Sequence, residues 1–104
     1  MTLSQAQLLG LNRMIALNPG TLTYSGSTVT VYKSAYKDTN YSMDNTGLMG
    51  DLDNLFVMAR TTEITGWNLL PYTNEVTLDG TPYMTGRTIT VNGPATTIWL
   101  RKKR

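Results

Sequence analysis

Residues 75–85 read EVTLDGTPYMT, residues 87–94 read RTITVNGP, and residues 96–100 read TTIWL. These three runs are rich in β-branched and aromatic residues and are separated by turn-forming residues such as the pair Asp79-Gly80. Short apolar runs between turn signals are typical of a compact all-β domain, and an Asp-Gly pair is a strong local signal for a hairpin. The pattern predicts strands at 75–79, at 82–91, where Gly86 favours an interruption, and at 96–101.

Near the start of the chain, apolar residues recur every three or four positions and not every second position. Leu8, Leu11 and Ile15 lie at helical spacing, which predicts a helix over 3–17 that ends at Asn18-Pro19-Gly20. Two interpretations of this helix remain open: it packs on its own domain, or it is an amphipathic segment that docks on a neighbouring subunit. A hairpin follows at 21–36, with strands at 21–24 and 28–32 joined through Ser25-Gly26, the second strand extending towards Tyr36.

Residues 37–53 show no steady period and are rich in glycine, asparagine and aspartate. Long connections of this kind are usually functional or disordered, so we predict a long flexible loop without regular structure. Leu55 to Ala59 is predicted to be a buried strand. The stretch 61–72 is ambiguous, because Gly66 and Pro71 oppose a long helix and leave only a short helical turn around 67–70 open. The resulting fold class is all-β, a mainly antiparallel small barrel or sandwich, with one N-terminal α-helix.

The length of 104 residues suits a single domain over 1–104, with its β core at 54–101. Only 15% of residues are charged, and the net charge is +2. Four of the nine basic residues form the C-terminal segment 101–104, so the rest of the chain carries five basic and seven acidic groups and is mildly acidic. The first residues have neither a basic region nor a long apolar run, so we expect no secretion signal and no membrane partner.

The residues that most catalytic and metal sites need are missing. The chain contains no histidine and no cysteine, which excludes thiolate metal sites, disulfides and Ser/His or Cys/His catalysis. Asp51 and Asp53 are the best pair of carboxylates, but their spacing also fits a solvated loop edge. The acidic stretches lack the ligand spacing of a calcium loop, and Gly47 and Gly50 are not followed by the residues of a P-loop. We expect no enzyme activity, no cofactor and no metal.

Two features leave a nucleic-acid-binding barrel open as an alternative. Arg101, Lys102, Lys103 and Arg104 are four consecutive cations that suit phosphate contacts. Tyrosines along the first half of the chain offer rings on which bases stack. These are Tyr24, Tyr32, Tyr36 and Tyr41. Their alternation along predicted strands is equally explained by packing, and a basic chain end is equally explained by solvation.

The order of motifs from Leu55 to Leu100 is distinctive. A Leu-Phe-Val strand at 55–57 leads through an irregular turn to Val-Thr-Leu at 76–78, then to Gly80, Tyr83 and the apolar strand 98–100. This order, after an N-terminal helix and a long loop, resembles the head–tail joining proteins of long-tailed bacteriophages, the stopper or head-completion family. Thr85 stands where that pattern has a valine-like residue.

The resemblance implies a structural function in the virion neck. Several copies would form a ring below the portal and adaptor proteins, close the DNA exit channel and dock the tail proteins. The chain would be a monomer in solution, located in the host cytoplasm during assembly and in the neck afterwards. Leu48, Met49 and Leu52, with Asp51 and Asp53, would be the assembly interface, unless the apolar three fold back on their own barrel. Residues 101–104 would contact DNA in the channel or a partner protein. A tail terminator or another neck protein is the alternative.

Overall fold

The computed structural model describes residues 3–35, 41–43, 49–51 and 55–102. Helix α1 comes first, strands β1 to β8 follow, and a 3₁₀ turn interrupts the strands after β5. The elements in chain order are α1 Leu3–Leu17, β1 Pro19–Tyr24, β2 Ser27–Lys33, β3 Tyr41–Met43, β4 Met49–Asp51, β5 Leu55–Arg60, the 3₁₀ turn Thr61–Glu63, β6 Glu75–Leu78, β7 Thr81–Asn92 and β8 Ala95–Lys102. The predicted all-β class with an N-terminal helix is confirmed.

Six of the strands close into an antiparallel barrel in the order β1-β2-β5-β8-β7-β6. The last seam joins β6 back to β1 through the pairs Leu22–Leu78 and Thr23–Thr77. This closure decides between the barrel and the sandwich that the sequence left open. A closed barrel leaves few unpaired backbone groups at its edges, because each strand has a neighbour on both sides.

The tight turns follow the local sequence closely. Both residues of each turn have a positive φ. The angles are 51° and 84° in Ser25-Gly26, and 51° and 85° in Asp79-Gly80. Two consecutive residues of positive φ make the type I′ turn that best matches the twist of a hairpin. The hairpins β1–β2 and β6–β7 therefore form as predicted.

Alternate residues of the strands fill the barrel. Leu55, Val57 and Ala59 point inwards from β5, and Ile98 and Leu100 do so from β8. This period of two is the pleat of the strand expressed as burial. Further inward side chains come from Leu22, Val31, Val76, Leu78 and Tyr83.

Helix α1 packs on its own barrel, which is the first of the two interpretations. Its residues Leu11 and Ile15 are buried, and the helix lies mainly against β2. Arg60 Nε donates a hydrogen bond of 2.7 Å to Asn12 Oδ1 and so ties the helix to the end of β5. Leu3 and Leu17, at the two ends of the helix, remain exposed.

Several local predictions were wrong. The stretch 37–53 was expected to lack regular structure, but β3 and β4 pair antiparallel within it, with Ser42 opposite Gly50. Three residues per strand are too few for a periodic signal to be detected. The helical turn left open at 67–70 does not form, since Asn68 has a φ of 52°; the 3₁₀ turn lies at Thr61–Glu63 instead.

The remaining differences concern the ends and continuity of strands. β2 ends at Lys33, earlier than the extension to Tyr36 that the alternation favoured. β7 is continuous from Thr81 to Asn92, and the irregularity expected at Gly86 takes the form of a register shift between Thr85 and Ile89. β8 runs to Lys102, so half of the predicted basic C-terminal segment belongs to the sheet.

Candidate assembly surface

The structure describes only some of the predicted interface residues. Met49 and Asp51 lie in β4. Leu48, Leu52 and Asp53 lie outside the described residues, so their predicted contacts stay predictions. Arg101 and Lys102 end strand β8. Lys103 and Arg104 lie outside the described residues.

We call residues 36–54, which connect β2 to β5, the arm. Its strands β3 and β4 form a two-stranded sheet of their own, while the six other strands complete the barrel without them. A two-stranded hairpin is marginally stable at best by itself in water. The β3–β4 hairpin is therefore separate from the closed barrel, and two strands alone give it little stability.

The arm leaves and rejoins the barrel through a hydrogen-bonded stem. Ser34 N donates to Phe56 O at 2.9 Å, and Phe56 N donates to Ser34 Oγ at 2.9 Å. The two bonds continue the β2–β5 ladder, whose last strand pairs are Tyr32–Met58 and Lys33–Val57. Because Ser34 and Phe56, which flank the arm, are held side by side, the chain leaves and re-enters the barrel at one place.

Lys33 connects the stem to two other elements. Its backbone N–H donates to Asn18 O at 3.1 Å, and its carbonyl accepts a bond of 2.6 Å from Asn18 Nδ2, just after helix α1. Its ammonium group donates to Asp79 Oδ2 at 2.6 Å. The stem, the end of the helix and the β6–β7 turn are thereby joined at one end of the barrel.

Asp79 makes the matching connection to β1. Its Oδ1 accepts from Thr21 N at 2.8 Å, and its own N–H donates to Thr21 O at 2.8 Å. The hydrogen bond from Lys33 and then that from Thr21 lower the pKa of the Asp79 carboxyl. A cleft of about 350 Å³ opens beside this pair, with Leu55 and Tyr83 among its apolar walls. The arm thus begins at a hydrogen-bonded base, which comprises Asn18, Thr21, Lys33, Ser34 and Asp79.

Sequence reasoning missed the residues of this base. Asp79 was recognised only as a turn former, and Ser34 and Lys33 carried no motif. The ion pair joins positions that are 46 residues apart, and the Thr21–Asp79 bond joins positions that are 58 apart. No local pattern indicates such a pairing, because it depends on how the barrel closes.

Three of the residues considered for nucleic-acid binding, Arg101, Tyr24 and Tyr32, make contacts within the chain. The guanidinium of Arg101 lies 4.8 Å from the ring centroid of Tyr72, which is a cation–π contact within the chain. Tyr24 packs on Trp67 with centroids 5.5 Å apart, and its hydroxyl accepts from Asn74 Nδ2 at 3.0 Å. Tyr32 packs on Phe56, 6.1 Å away. Tyr36 and the side chain of Tyr41 lie outside the described part of the structure.

Comparisons with known proteins do not assign this chain to a family. No protein-family model matches the chain, and no curated protein matches it. Among the described residues, no three histidine, cysteine or acidic side chains come together to hold a metal ion. In the same part of the chain, no helix is long and apolar enough to cross a membrane.

Proposed function

We propose that this protein is a structural component of a bacteriophage neck. Copies assemble into a ring below the portal and adaptor, close the DNA exit channel and present the surface on which the tail docks. The arm of each copy packs against its neighbour. The observation that carries the proposal is the arm itself, a hairpin sheet separate from a closed barrel and mounted on a hydrogen-bonded base.

The layout of the barrel supports the resemblance drawn from the sequence. The motifs at 55–57, 76–78 and 98–100 lie in β5, β6 and β8, and Tyr83 lies in β7. These four strands are consecutive in the barrel order β5-β8-β7-β6. The motifs therefore occupy one contiguous part of the barrel, made of four of its six strands.

The physics of ring assembly supports a role for the arm. A ring uses one surface of a subunit as donor and a different surface as acceptor, and it closes when the rotation between neighbours is fixed. The Ser34–Phe56 and Lys33–Asp79 bonds hold the residues that flank the arm against the barrel, which restricts where the arm reaches a neighbour. A hairpin that is marginal in the monomer gains its order on contact, which suits sequential assembly.

The test uses the virus that encodes the chain. Its gene is deleted and supplied in trans as the natural chain, as Leu48→Asp/Met49→Asp, or as Leu70→Asp. Leu70 is 58% exposed and lies outside the arm, so its variant is the matched control. We expect the natural chain and the control to restore tailed particles, and the arm variant to leave DNA-filled heads without tails in electron micrographs.

The outcomes separate the alternatives. If the arm variant folds by circular dichroism and joins heads to tails as well as the natural chain, the arm does not make the assembly contact. If the arm variant fails to fold, Leu48 and Met49 pack on their own barrel. A nucleic-acid-binding barrel would instead retain oligonucleotides in a way that falls steeply as salt rises, with no defect in particle assembly.

A further inference from the structure

A second concave site lies at the end of the barrel where β5 finishes, opposite the stem where β5 begins. It is a pocket of about 220 Å³ between segment 61–69 and the β7–β8 hairpin. Mouths of β-barrels are frequent sites for small ligands. The apolar side chains that line the pocket are Ile64, Trp67, Leu69, Ile89, Val91 and Ile98.

The walls of the pocket are set by the fold. Ile98 is fully buried and is the strand partner of Ile89, while Val91, paired with Thr96, is 64% exposed. The pocket therefore runs from the exposed rim at Val91 down to the core at Ile98. Trp67 forms part of the opposite wall and packs on Tyr24, as described above.

The backbone around Trp67 fixes the shape of that wall. Gly66 has a φ of 93° and Asn68 has a φ of 52°, so Trp67 stands between two residues of left-handed conformation. Trp67 N also donates to Ile64 O at 3.1 Å. This turn holds the backbone of Trp67 in one conformation. Less backbone entropy is therefore lost when a ligand binds beside the indole.

The polar groups of the lining are already used within the chain. Thr61 Oγ1 donates to Gly93 O at 2.9 Å, so its contact of 2.8 Å with Thr96 Oγ1 has Thr96 as the donor. Thr65 Oγ1 donates to Thr61 O at 3.0 Å, and Asn68 Nδ2 donates to Gly66 O at 3.2 Å. No charged residue is among the lining residues of this pocket. A charged ligand would lose its hydration without a partner, which is costly.

From this geometry we propose that the mouth of the barrel is a binding site for a small, uncharged aromatic molecule. A dry cavity of about 150 Å³ lined by apolar side chains is enough to hold benzene. The volume here is about 220 Å³, which leaves room for a ring with one or two added carbon atoms. The site is independent of the arm and of the proposed neck function, because it uses neither the stem nor the ion pair.

The test uses the full chain carrying Trp99→Phe. The sequence has two tryptophans, so this change leaves Trp67 as the reporter in the pocket. Toluene is the probe, and benzylamine and benzoate are charged controls of similar ring size. We expect a saturable change in Trp67 fluorescence with toluene, a rise in the midpoint of thermal unfolding, and no saturable change with either charged compound.

Three variants test whether toluene binds in this pocket. Ile89→Phe fills the pocket, and Val91→Asp puts a charge on its exposed rim, where the fold tolerates it; both are expected to abolish the toluene response. Leu70→Asp, at an exposed apolar residue outside the lining, is the matched control and is expected to keep it. The Val91 variant keeps the test valid if Ile89→Phe fails to fold.

Three results would overturn the assignment. The first is a toluene response that rises linearly without saturation. The second is an equal response in Val91→Asp and in the natural pocket. The third is a saturable response of the same size with benzylamine or benzoate, because a pocket without a charged lining residue should not favour a charged ring.

Discussion

Replacing Thr85 with valine tests whether one buried hydroxyl holds the 70–74 segment on the barrel. Thr85 is fully buried, and its Oγ1 donates to Leu70 O at 2.6 Å. The same oxygen accepts from Thr73 N at 3.1 Å and from Asn74 N at 3.2 Å. Valine has nearly the same shape, so the change removes three hydrogen bonds without leaving a cavity.

The expected cost follows from the groups that Thr85 leaves behind: Leu70 O and Thr73 N keep a mutual hydrogen bond of 3.4 Å, whereas Asn74 N loses its bond to Thr85. A buried polar group left without a hydrogen bond costs about 1–3 kcal/mol. Leu70 and Thr73 are exposed residues and Asn74 is half-buried, so water reaches part of this site and the low end of that range applies. One group that loses its bond and two that keep only a long one, less the gain from burying a methyl group in place of a hydroxyl, give a loss of about 1–2 kcal/mol in the free energy of unfolding.

The assays are urea denaturation and thermal unfolding of the full chain, each followed by circular dichroism. A loss of this size lowers the thermal midpoint by roughly 5–15 °C in a domain of about 100 residues, while the slope of the unfolding free energy against urea concentration stays the same. Thr85→Ser keeps the hydroxyl and loses only a methyl group, with a cost of about 1 kcal/mol. Thr30→Val, at an exposed strand position, changes stability by less than about 0.5 kcal/mol.

Amide hydrogen exchange gives a second reading of the same prediction. The Thr73 and Asn74 amides should exchange faster in Thr85→Val, while those of β5 change only with global stability. The reasoning is refuted if Thr85→Val is as stable as the natural chain and Thr85→Ser is the less stable of the two. That result would mean that volume, and not the hydroxyl, matters at this position.

Three further predictions concern the base and the arm. Asp79→Asn should lower the free energy of unfolding by only about 0.5–1 kcal/mol at pH 7, since Asp79 and its partner Lys33 are both partly exposed. Because the folded pKa of Asp79 is lowered, the stability difference between the natural chain and the variant should be present above the ordinary carboxyl value near 3.8 and shrink as pH falls below it. Urea midpoints measured against pH check this. Gly80→Ala should destabilise the β6–β7 hairpin by about 1 kcal/mol, since its φ is 85° and alanine is strained there; equal thermal midpoints would contradict this. In dilute solution the amides of 37–53 should exchange faster than those of the barrel, and equal protection would argue against an arm that gains order on assembly.

The sequence determined those features that depend on neighbouring residues. The turn at Asp79-Gly80 followed from two residues that accept positive φ, and the strands of the barrel followed from their period of two. Helix α1 followed from its spacing of three and four and from the stop at Pro19. Thr85 was noticed in the sequence as a departure from a valine-like pattern, but the carbonyl and amides that explain its hydroxyl were not visible there.

The tertiary structure alone decided how these elements close and what the closure brings together. Barrel and sandwich have the same local signals, and only the β6–β1 seam at Leu22–Leu78 tells them apart. The Lys33–Asp79 pair and the apolar pocket at Trp67 join residues from distant parts of the chain. Local sequence encodes backbone preference over a few residues, whereas such contacts depend on strand order and register, which are fixed by the packing of the whole barrel.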